Sequence, residues 1–316
     1  MLQRQLGRTD LNVSVLCFGG NVLGWTTDPQ QSAAVLDRFM EEGGNFVDSA
    51  DVYSRWVHGN QGGESEVILG QWMKDRGNRA DVIVATKLGS PMGDGKQGLS
   101  RAYMMQAVED SLKRLQTDYI DLYQAHRDDP NTPLDETMAA FDELVKSGKV
   151  RWIGASNYTA ARLAEANAAA KAGGYGRFES IQPPYHLLNR AEYEAELEPL
   201  CQQDEIGVIT YSSLASGFLT GKYHKDGALP SSGRAAGVQQ RYMNDKGWTV
   251  LEAVESVAKR LGATPAQVAL AWIVARPGMT GPIASATTPS QLVDLIGGIG
   301  LELDADALAT LDKASA

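Results

Sequence analysis

The property that most restricts how this 316-residue chain can fold is a repeated alternation along its length. Short, continuously apolar, β-branched runs trade places with longer segments whose apolar residues recur at helical spacing. Strand-like runs fall at 15–18, 46–47, 82–86, 119–123, 150–154, 178–182, 208–211 and 282–284. Helical patterns separate them at 29–42, 64–75, 101–115, 135–147, 159–171 and 191–204, with two in succession, 248–261 and 264–275, before the last strand. Start and stop signals agree with this reading. Asp28-Pro29 opens the first helix, Ala33, Val35, Leu36, Phe39 and Met40 form its apolar stripe, and Gly43-Gly44 stops it.

Strands without polar alternation are covered on both faces, which is the habit of a parallel sheet. Such a sheet is either open and doubly wound or closed into a barrel. Eight βα units in roughly 270 residues have the size of a (β/α)8 TIM barrel, and the polar residues with chemical potential follow strands, where such barrels assemble their sites. The Gly-x-Gly-x-x-Gly signature of doubly wound dinucleotide-binding folds follows no strand. The clusters Gly173-Gly174-Tyr175-Gly176 and Gly297-Gly298-Ile299-Gly300 have the wrong spacing and read as helix ends. The expected fold is therefore α/β, a closed (β/α)8 barrel, with residues 1–316 forming one domain. Residues 2–5 and 11–13, joined by Gly7-Arg8-Thr9-Asp10, predict a small N-terminal hairpin that plugs one end. The polar stretch from Lys222 to Lys246, after the seventh strand, is longer than a connector requires and is expected to be a functional loop over the site.

Composition removes several classes of function. With 29 basic against 39 acidic residues the net charge is −10, which disfavours nucleic acid and anionic membranes as partners. No stretch approaches the roughly 20 apolar residues of a membrane span, and the N-terminus has no apolar run of signal-peptide length, so a soluble, cytoplasmic protein is expected. Cys17 and Cys201 lack metal-ligand spacing and are expected to be free thiols, and no metal is called for. Gly217-Phe218-Leu219-Thr220-Gly221-Lys222-Tyr223 resembles a phosphate loop. It is one residue short, with Tyr where Ser or Thr should meet magnesium, so a nucleoside-triphosphatase is rejected. Nothing in the sequence sets an oligomeric state.

The chemistry-bearing residues sit at strand ends. Asn45 to Tyr53 places a carboxylate, Asp48, and a phenol, Tyr53, just past a short apolar run; Ala85-Thr86-Lys87 and Ala125-His126-Arg127 close two later runs. A tyrosine, with an unperturbed pKa of about 10, is a reluctant acid unless a cation steadies its phenolate. Lys87 can supply that cation, and Asp48 the counter-charge that keeps a lysine protonated out of water. His126 can donate a hydrogen bond to a substrate oxygen or share the proton transfer. Taken singly, each residue also has a structural reading, as helix cap, core ring, solvated cation or satisfied imidazole.

Across essentially its whole length the chain resembles the aldo-keto reductases. The resemblance is carried by Asn-Phe-Val-Asp-Ser-Ala-Asp-Val-Tyr, Gly-Gly-Glu-Ser-Glu, Val-Ala-Thr-Lys, Asp-Tyr-Ile-Asp-Leu-Tyr, Gly-Lys-Val-Arg-Trp-Ile-Gly-Ala-Ser-Asn and Tyr-Ser-Ser-Leu-Ala-Ser-Gly-Phe-Leu-Thr-Gly-Lys-Tyr. It implies a catalytic tetrad of Asp48, Tyr53, Lys87 and His126, and reversible hydride transfer between a nicotinamide, usually NADPH with NADH possible, and an aldehyde or ketone as small-molecule substrate. It also implies a carboxamide held by Ser156, Asn157 and Gln182 and a ring stacked on Tyr211. Further cofactor contacts are implied at Gly20, Asn21 and Asp48, along Ser212, Leu214, Ser216 and Gly217 with Lys222 and Arg234 at the pyrophosphate, and at Ser285, Thr287, Gln291 and Asp294 around the adenosine. Thr288 and Leu295 stand where many NADPH-preferring members carry a cation and an Asn. Trp25, Tyr53, Trp56, His126 and Arg127 are expected to surround the substrate carbonyl. The rival within the resemblance is a cofactor-binding partner subunit of the potassium-channel β type, with little turnover.

Overall fold

The computed structural model describes residues 1–316. At the N-terminus, β1 (Gln3–Gln5) pairs antiparallel with β2 (Asn12–Ser14). Eight further strands follow: β3 (Cys17–Gly19), β4 (Phe46–Asp48), β5 (Ile83–Leu88), β6 (Ile120–Ala125), β7 (Val150–Ser156), β8 (Ser180–Gln182), β9 (Gly207–Thr210) and β10 (Met279–Ala284). All pair in parallel, and β10 closes on β3 to complete a barrel. Helices α1 (Pro29–Glu41), α2 (Glu64–Arg76), α3 (Arg101–Leu115), α4 (Leu134–Lys146), α5 (Ala160–Gly173) and α6 (Glu198–Asp204) return the chain between strands. Then α7 (Ala235–Tyr242), α8 (Asp245–Leu261) and α9 (Pro265–Val274) precede β10, and α10 (Pro289–Gly297) and α11 (Ala305–Ser315) follow it. The protein is a (β/α)8 TIM barrel with a two-stranded appendage.

Six helices, α1, α5, α8, α9, α10 and α11, begin where a side chain accepts from a free N–H group. The Asp28 carboxylate accepts from Gln31 N, and the Gln31 side chain returns the bond to Asp28 N. Thr264 and Gln267 do the same for α9. Two hydrophobic layers result. The larger lies between sheet and helices and includes Phe18, Phe39, Val84, Phe141 and Trp272. The smaller fills the barrel itself, where Leu6, Leu11 and Val13 of the hairpin region meet Cys17, Phe46, Ala85, Leu122, Ile209 and Ile283. The hairpin is thus the floor of the barrel. Its turn needs Gly7, at φ +55°, because a β-carbon there would lie 2.4 Å from the Glu179 carbonyl oxygen. Each apolar side chain of the floor contributes about 1.5–3 kcal/mol by burial.

Several elements differ from the sequence expectation. The stretch 222–246 does follow the seventh barrel strand, but its second half is helical, as α7. The segment expected as one helix over 191–204 opens with a wide π-turn at Tyr193–Leu197 before α6, because Pro199 lacks the N–H an α-turn would use. The last strand begins at Met279 rather than Pro282, its register shifting between Met279 and Gly281 so that Pro282 is accommodated. Helices α10 and α11 were not expected at all. Cys17 and Cys201 are buried free thiols. No helix is long and apolar enough to cross a membrane, and no group of three His, Cys, Asp or Glu side chains could hold a metal ion.

Candidate active site

At the C-terminal end of the barrel, register sets the first elements of the site. Asp48 ends β4 opposite Ala85, and Lys87 on β5 lies opposite Gln124 on β6. The loop after β4 is then pinned to the neighbouring strand: Ser49 N donates to Ala85 O at 2.8 Å and Asp51 N to Lys87 O at 3.1 Å. Ser54, at φ +69°, turns the chain and donates its hydroxyl to Leu23 O at 2.8 Å. This folds Tyr53 back over the strand ends.

Lys87 is completely buried, yet every N–H of its ammonium is used. Nζ donates to Asp48 Oδ2 at 2.7 Å, to the Ser49 carbonyl at 2.7 Å and to Tyr53 Oη at 2.9 Å. Asp48 is equally engaged: Oδ2 also accepts from the Tyr53 hydroxyl at 3.2 Å, while Oδ1 accepts from Gln182 Nε2 at 2.8 Å and Gln124 Nε2 at 3.4 Å. Desolvation, and then the Asp48 charge, push the Tyr53 phenol well above its ordinary range. The phenol is therefore held in its proton-bearing form. Lys87 nonetheless points at the oxygen that would carry the charge once that proton leaves.

His126 follows β6, its N–H held by Leu88 O at 2.8 Å and its ring set edge-on to Tyr53, with centroids 6.0 Å apart. Burial, then the charges of Lys87 and Arg127, hold the imidazole well below its usual pKa, so it is neutral. Its Nδ1 is buried with no protein partner. Beside it lie three aromatic rings: Trp56 is edge-on to both Tyr53 (6.1 Å) and Trp25 (5.4 Å). Trp56 is 51 % exposed and Arg127 is exposed, so this side of the site opens to solvent.

On the other side, after β7 to β9, a chain of polar groups faces the same centre. Ser156 Oγ donates to the Gln182 carbonyl at 2.9 Å, Asn157 Nδ2 donates to the His126 carbonyl at 2.8 Å, and the Tyr211 hydroxyl donates to Asn157 Oδ1 at 2.7 Å. These bonds fix the side chains while leaving lone pairs on Ser156 Oγ, Asn157 Oδ1 and Gln182 Oε1 for an amide. The chain beyond Tyr211 then takes left-handed conformations at Ser212, Ala215, Ser216 and Gly217. Turns of this kind aim successive backbone N–H groups into one concavity, suited to an anion. Lys222 Nζ lies 3.1 Å from where a β-carbon on Gly217 would stand, Arg241 Nη2 donates to Ser216 Oγ at 3.3 Å, and Arg234 stacks over Trp25 at 4.8 Å. Desolvation and the Arg234 charge draw the Lys222 ammonium below its usual range.

The outer residues fall around β10 and β3. Ser285 Oγ donates to Asn21 Oδ1 at 2.7 Å, beside Gly20, whose carbonyl accepts from Ser65 Oγ at 2.7 Å. Gln291 Oε1 accepts from Thr287 N at 3.0 Å. Asp294 is turned toward α9, accepting from Thr264 Oγ1 at 3.0 Å. Thr288 caps α10 through Gln291 N at 3.2 Å. Leu214 is half-buried against the larger hydrophobic layer.

Sequence reasoning missed several supports. Gln124 steadies Asp48 from β6. Glu66, wholly buried, accepts from Thr86 Oγ1 at 2.6 Å and from Arg114 Nε at 2.7 Å, bracing the strand that carries Lys87. Its place inside Gly-Gly-Glu-Ser-Glu was the available signal, but nothing marked Arg114. Asp51 is buried with both carboxylate oxygens unpartnered; burial, then Glu66, push its carboxyl well up, so it is a neutral acid.

A closed parallel barrel that gathers an Asp, a Tyr, a Lys and a His at the C-terminal ends of its strands defines an enzyme-like barrel site. The model of the aldo/keto reductase family matches residues 15–316, and the chain belongs to that family as one of its oxidoreductases. It is 37% identical over 314 residues to the uncharacterized oxidoreductase YrpG of Bacillus subtilis, covering 97% of this chain and 94% of that one. It is 35% identical over 306 residues to a probable voltage-gated potassium channel subunit beta of Arabidopsis thaliana, covering 92% and 89%. To the protein tas of Escherichia coli it is 32% identical over 337 residues, covering 99% and 97%.

Proposed function

We propose that this chain reduces an aldehyde or ketone to an alcohol with a nicotinamide cofactor, NADPH first and NADH second, using Tyr53 as the proton donor. The observation that carries the reading is the buried triangle of Lys87, Asp48 and Tyr53, with the neutral His126 edge-on to it. The bound nicotinamide supplies hydride from its C4, or takes it in reverse. Ser156, Asn157 and Gln182 keep acceptors free for the carboxamide, Tyr211 offers the face of a ring, and the left-handed turn with Lys222, Arg234 and Arg241 fits a pyrophosphate. Gly20, packed on the Asp48 backbone, and Asn21 lie along the cofactor, and Ser285, Thr287 and Gln291 border the adenosine end, from which Asp294 is turned away toward α9.

Each residue of this chain then has one task. Tyr53 gives its proton to the carbonyl oxygen as that oxygen gains charge. Lys87, already 2.9 Å from the phenol oxygen, stabilises the phenolate left behind. Asp48 keeps Lys87 charged in a dry site, and the two glutamines keep Asp48 in place. A neutral His126 offers an N–H to the carbonyl oxygen without adding a second cation. Trp25 and Trp56 wall the pocket on the side that opens to solvent.

Titration of NADPH and NADH against tryptophan fluorescence, followed by addition of 4-nitrobenzaldehyde, tests the reading. Binding with oxidation of the cofactor supports it. The second reading, a cofactor-binding partner subunit, draws on the similarity to the Arabidopsis channel subunit. Tight binding without turnover of any simple aldehyde would favour that one.

A further inference from the structure

Most arginines of this chain hold a carboxylate, as in the pairs Arg76–Asp37, Arg79–Asp121, Arg114–Glu66, Arg162–Asp128 and Arg276–Asp312. Arg4 is turned to the backbone carbonyls of Met279 and Val274. The arginines that remain without a carboxylate, Arg55, Arg127, Arg234 and Arg241, all come from segments at the mouth of the site. In a chain of net charge −10 this is an unusual place to leave guanidinium groups free of acids. They divide by position in the barrel. Arg234 and Arg241 lie in the segment after β9, where the proposed pyrophosphate accounts for them. Arg55 and Arg127 lie after β4 and β6, on the opposite arc, beside Tyr53 and His126.

That second pair has no anion assigned to it. The two acids following Arg127 are committed elsewhere: Asp128 to Arg162 at 2.9 Å, and Asp129 to Thr132 Oγ1 at 2.7 Å and Leu99 N at 2.8 Å. Arg127 itself is exposed and makes no hydrogen bond within the protein; burial, then Lys87 and Arg127, hold the His126 imidazole low, while burial raises the Tyr211 phenol against the pull of Arg127. Arg55 is anchored through Nε to Met92 O at 3.1 Å, which leaves its terminal nitrogens free of carboxylates. In the turn beyond Met92, Asp94 and Lys96 are of opposite formal charge and cancel. Next to the phenol, Trp56 stands edge-on to Tyr53 at 6.1 Å and to Trp25 at 5.4 Å, an aromatic wall that suits a flat apolar body.

Resting on the reductase reading, we propose that the substrate is a flat carbonyl compound bearing a carboxylate, its carbonyl at Tyr53 and His126, its body against Trp25 and Trp56, and its anionic end at Arg127, with Arg55 adding to the field. Arg127 is then a specificity-determining residue. For an exposed guanidinium a charge-assisted bond of this kind is expected to contribute about tenfold in kcat/KM.

The test uses 3- and 4-carboxybenzaldehyde against their methyl esters, with NADPH, on the wild-type chain and on Arg127→Gln. The expected result is a wild-type preference of about tenfold for at least one acid over its ester, weakening as salt rises. In Arg127→Gln that preference falls toward one, through a raised KM for the acid rather than a lowered kcat. NADPH affinity measured on the same variant shows that the site is still assembled. Wild-type indifference to the carboxylate, or a preference that persists in Arg127→Gln, overturns the subsite while leaving the reductase standing. If no aldehyde of the set, acid or ester, is reduced, the reductase reading fails and the subsite with it.

Discussion

Replacing Lys87 by Met removes the only cation within reach of a carboxylate that is itself almost fully buried; the two side chains are 0% and 1% exposed. Breaking one side of a buried ion pair costs about 3–5 kcal/mol, mostly because the remaining charge stays desolvated. Asp48 would keep donors from Gln182 at 2.8 Å and Gln124 at 3.4 Å, which places the loss near the low end, about 3 kcal/mol. For a chain of 316 residues, at about 2.1 cal/mol/K of unfolding entropy per residue, that is roughly 4–5 °C in Tm. The companion change Asp48→Asn strands the ammonium instead and is expected to cost a similar amount. The double variant Lys87→Met/Asp48→Asn leaves no charge to strand, so it should be about 2 kcal/mol or more stabler than the sum of the single losses. Chemical denaturation of the wild type and the three variants measures all of this. Additive single losses would refute the claim that stranded charge is the cause.

Tyr53→Phe should lower kcat for aldehyde reduction by about 10²–10⁴ while leaving NADPH affinity nearly intact, and wild-type turnover in that variant would remove Tyr53 from proton donation. Thr288→Arg, placed where Thr288 now caps α10, should raise affinity for NADPH relative to NADH by about tenfold in fluorescence titrations; an unchanged ratio would locate the 2′-phosphate elsewhere, with Arg234 the first residue to test. His186 is buried, accepts from Leu188 N at 3.1 Å and faces the Tyr242 hydroxyl at 3.3 Å, and burial, then Arg241, bring its pKa down to about 4. The unfolded imidazole takes its proton first, near pH 6.5, so stability falls between there and about pH 4, by about 3 kcal/mol from this group. His186→Gln should flatten that part of the stability profile, and an unaltered slope would mean the imidazole titrates alike in both states.

The barrel was legible because its two periodicities cannot be confused over so many repeats: runs such as Val82 to Thr86 are too short and too β-branched for helices, and α1 carries both a capping box and an apolar stripe. The proposed catalytic residues were legible because Asp, Tyr, Lys and His are chemically conspicuous where apolar strands end. What escaped notice depends on distant partners. Gln124 reads as one more strand residue until the register sets it next to Lys87, and Arg114 reads as a solvated helix end until α3 packs against α2 and brings it to Glu66. Helix α7 was hidden by the glycines and serines before it. Its hold comes from tertiary contacts, with Val238 wholly buried and Tyr242 meeting His186.

These long-range effects also explain why one chain can be both a stable barrel and a site for charge chemistry. The floor formed by Leu6, Leu11 and Val13 with Phe46, Leu122 and Ile283 keeps water out of the barrel from below. Cys17 belongs to that layer, and its thiol is pushed well up by burial and then by the Asp48 charge, so the apolar floor and the ion pair are electrical neighbours. In such surroundings a charge interacts far more strongly than in water and costs far more to leave unpaired. Asp48 and Lys87 are tolerated because Ser49, Gln124, Gln182 and Tyr53 complete their hydrogen bonds. Tyr53 is the member of that network nearest the open side, and the one whose proton can leave without unpairing the ions behind it. The packing that stabilises the barrel thus sets the strength of the field at the phenol, and the loop pinned by Asp51 and Ser54 decides which group stands in that field.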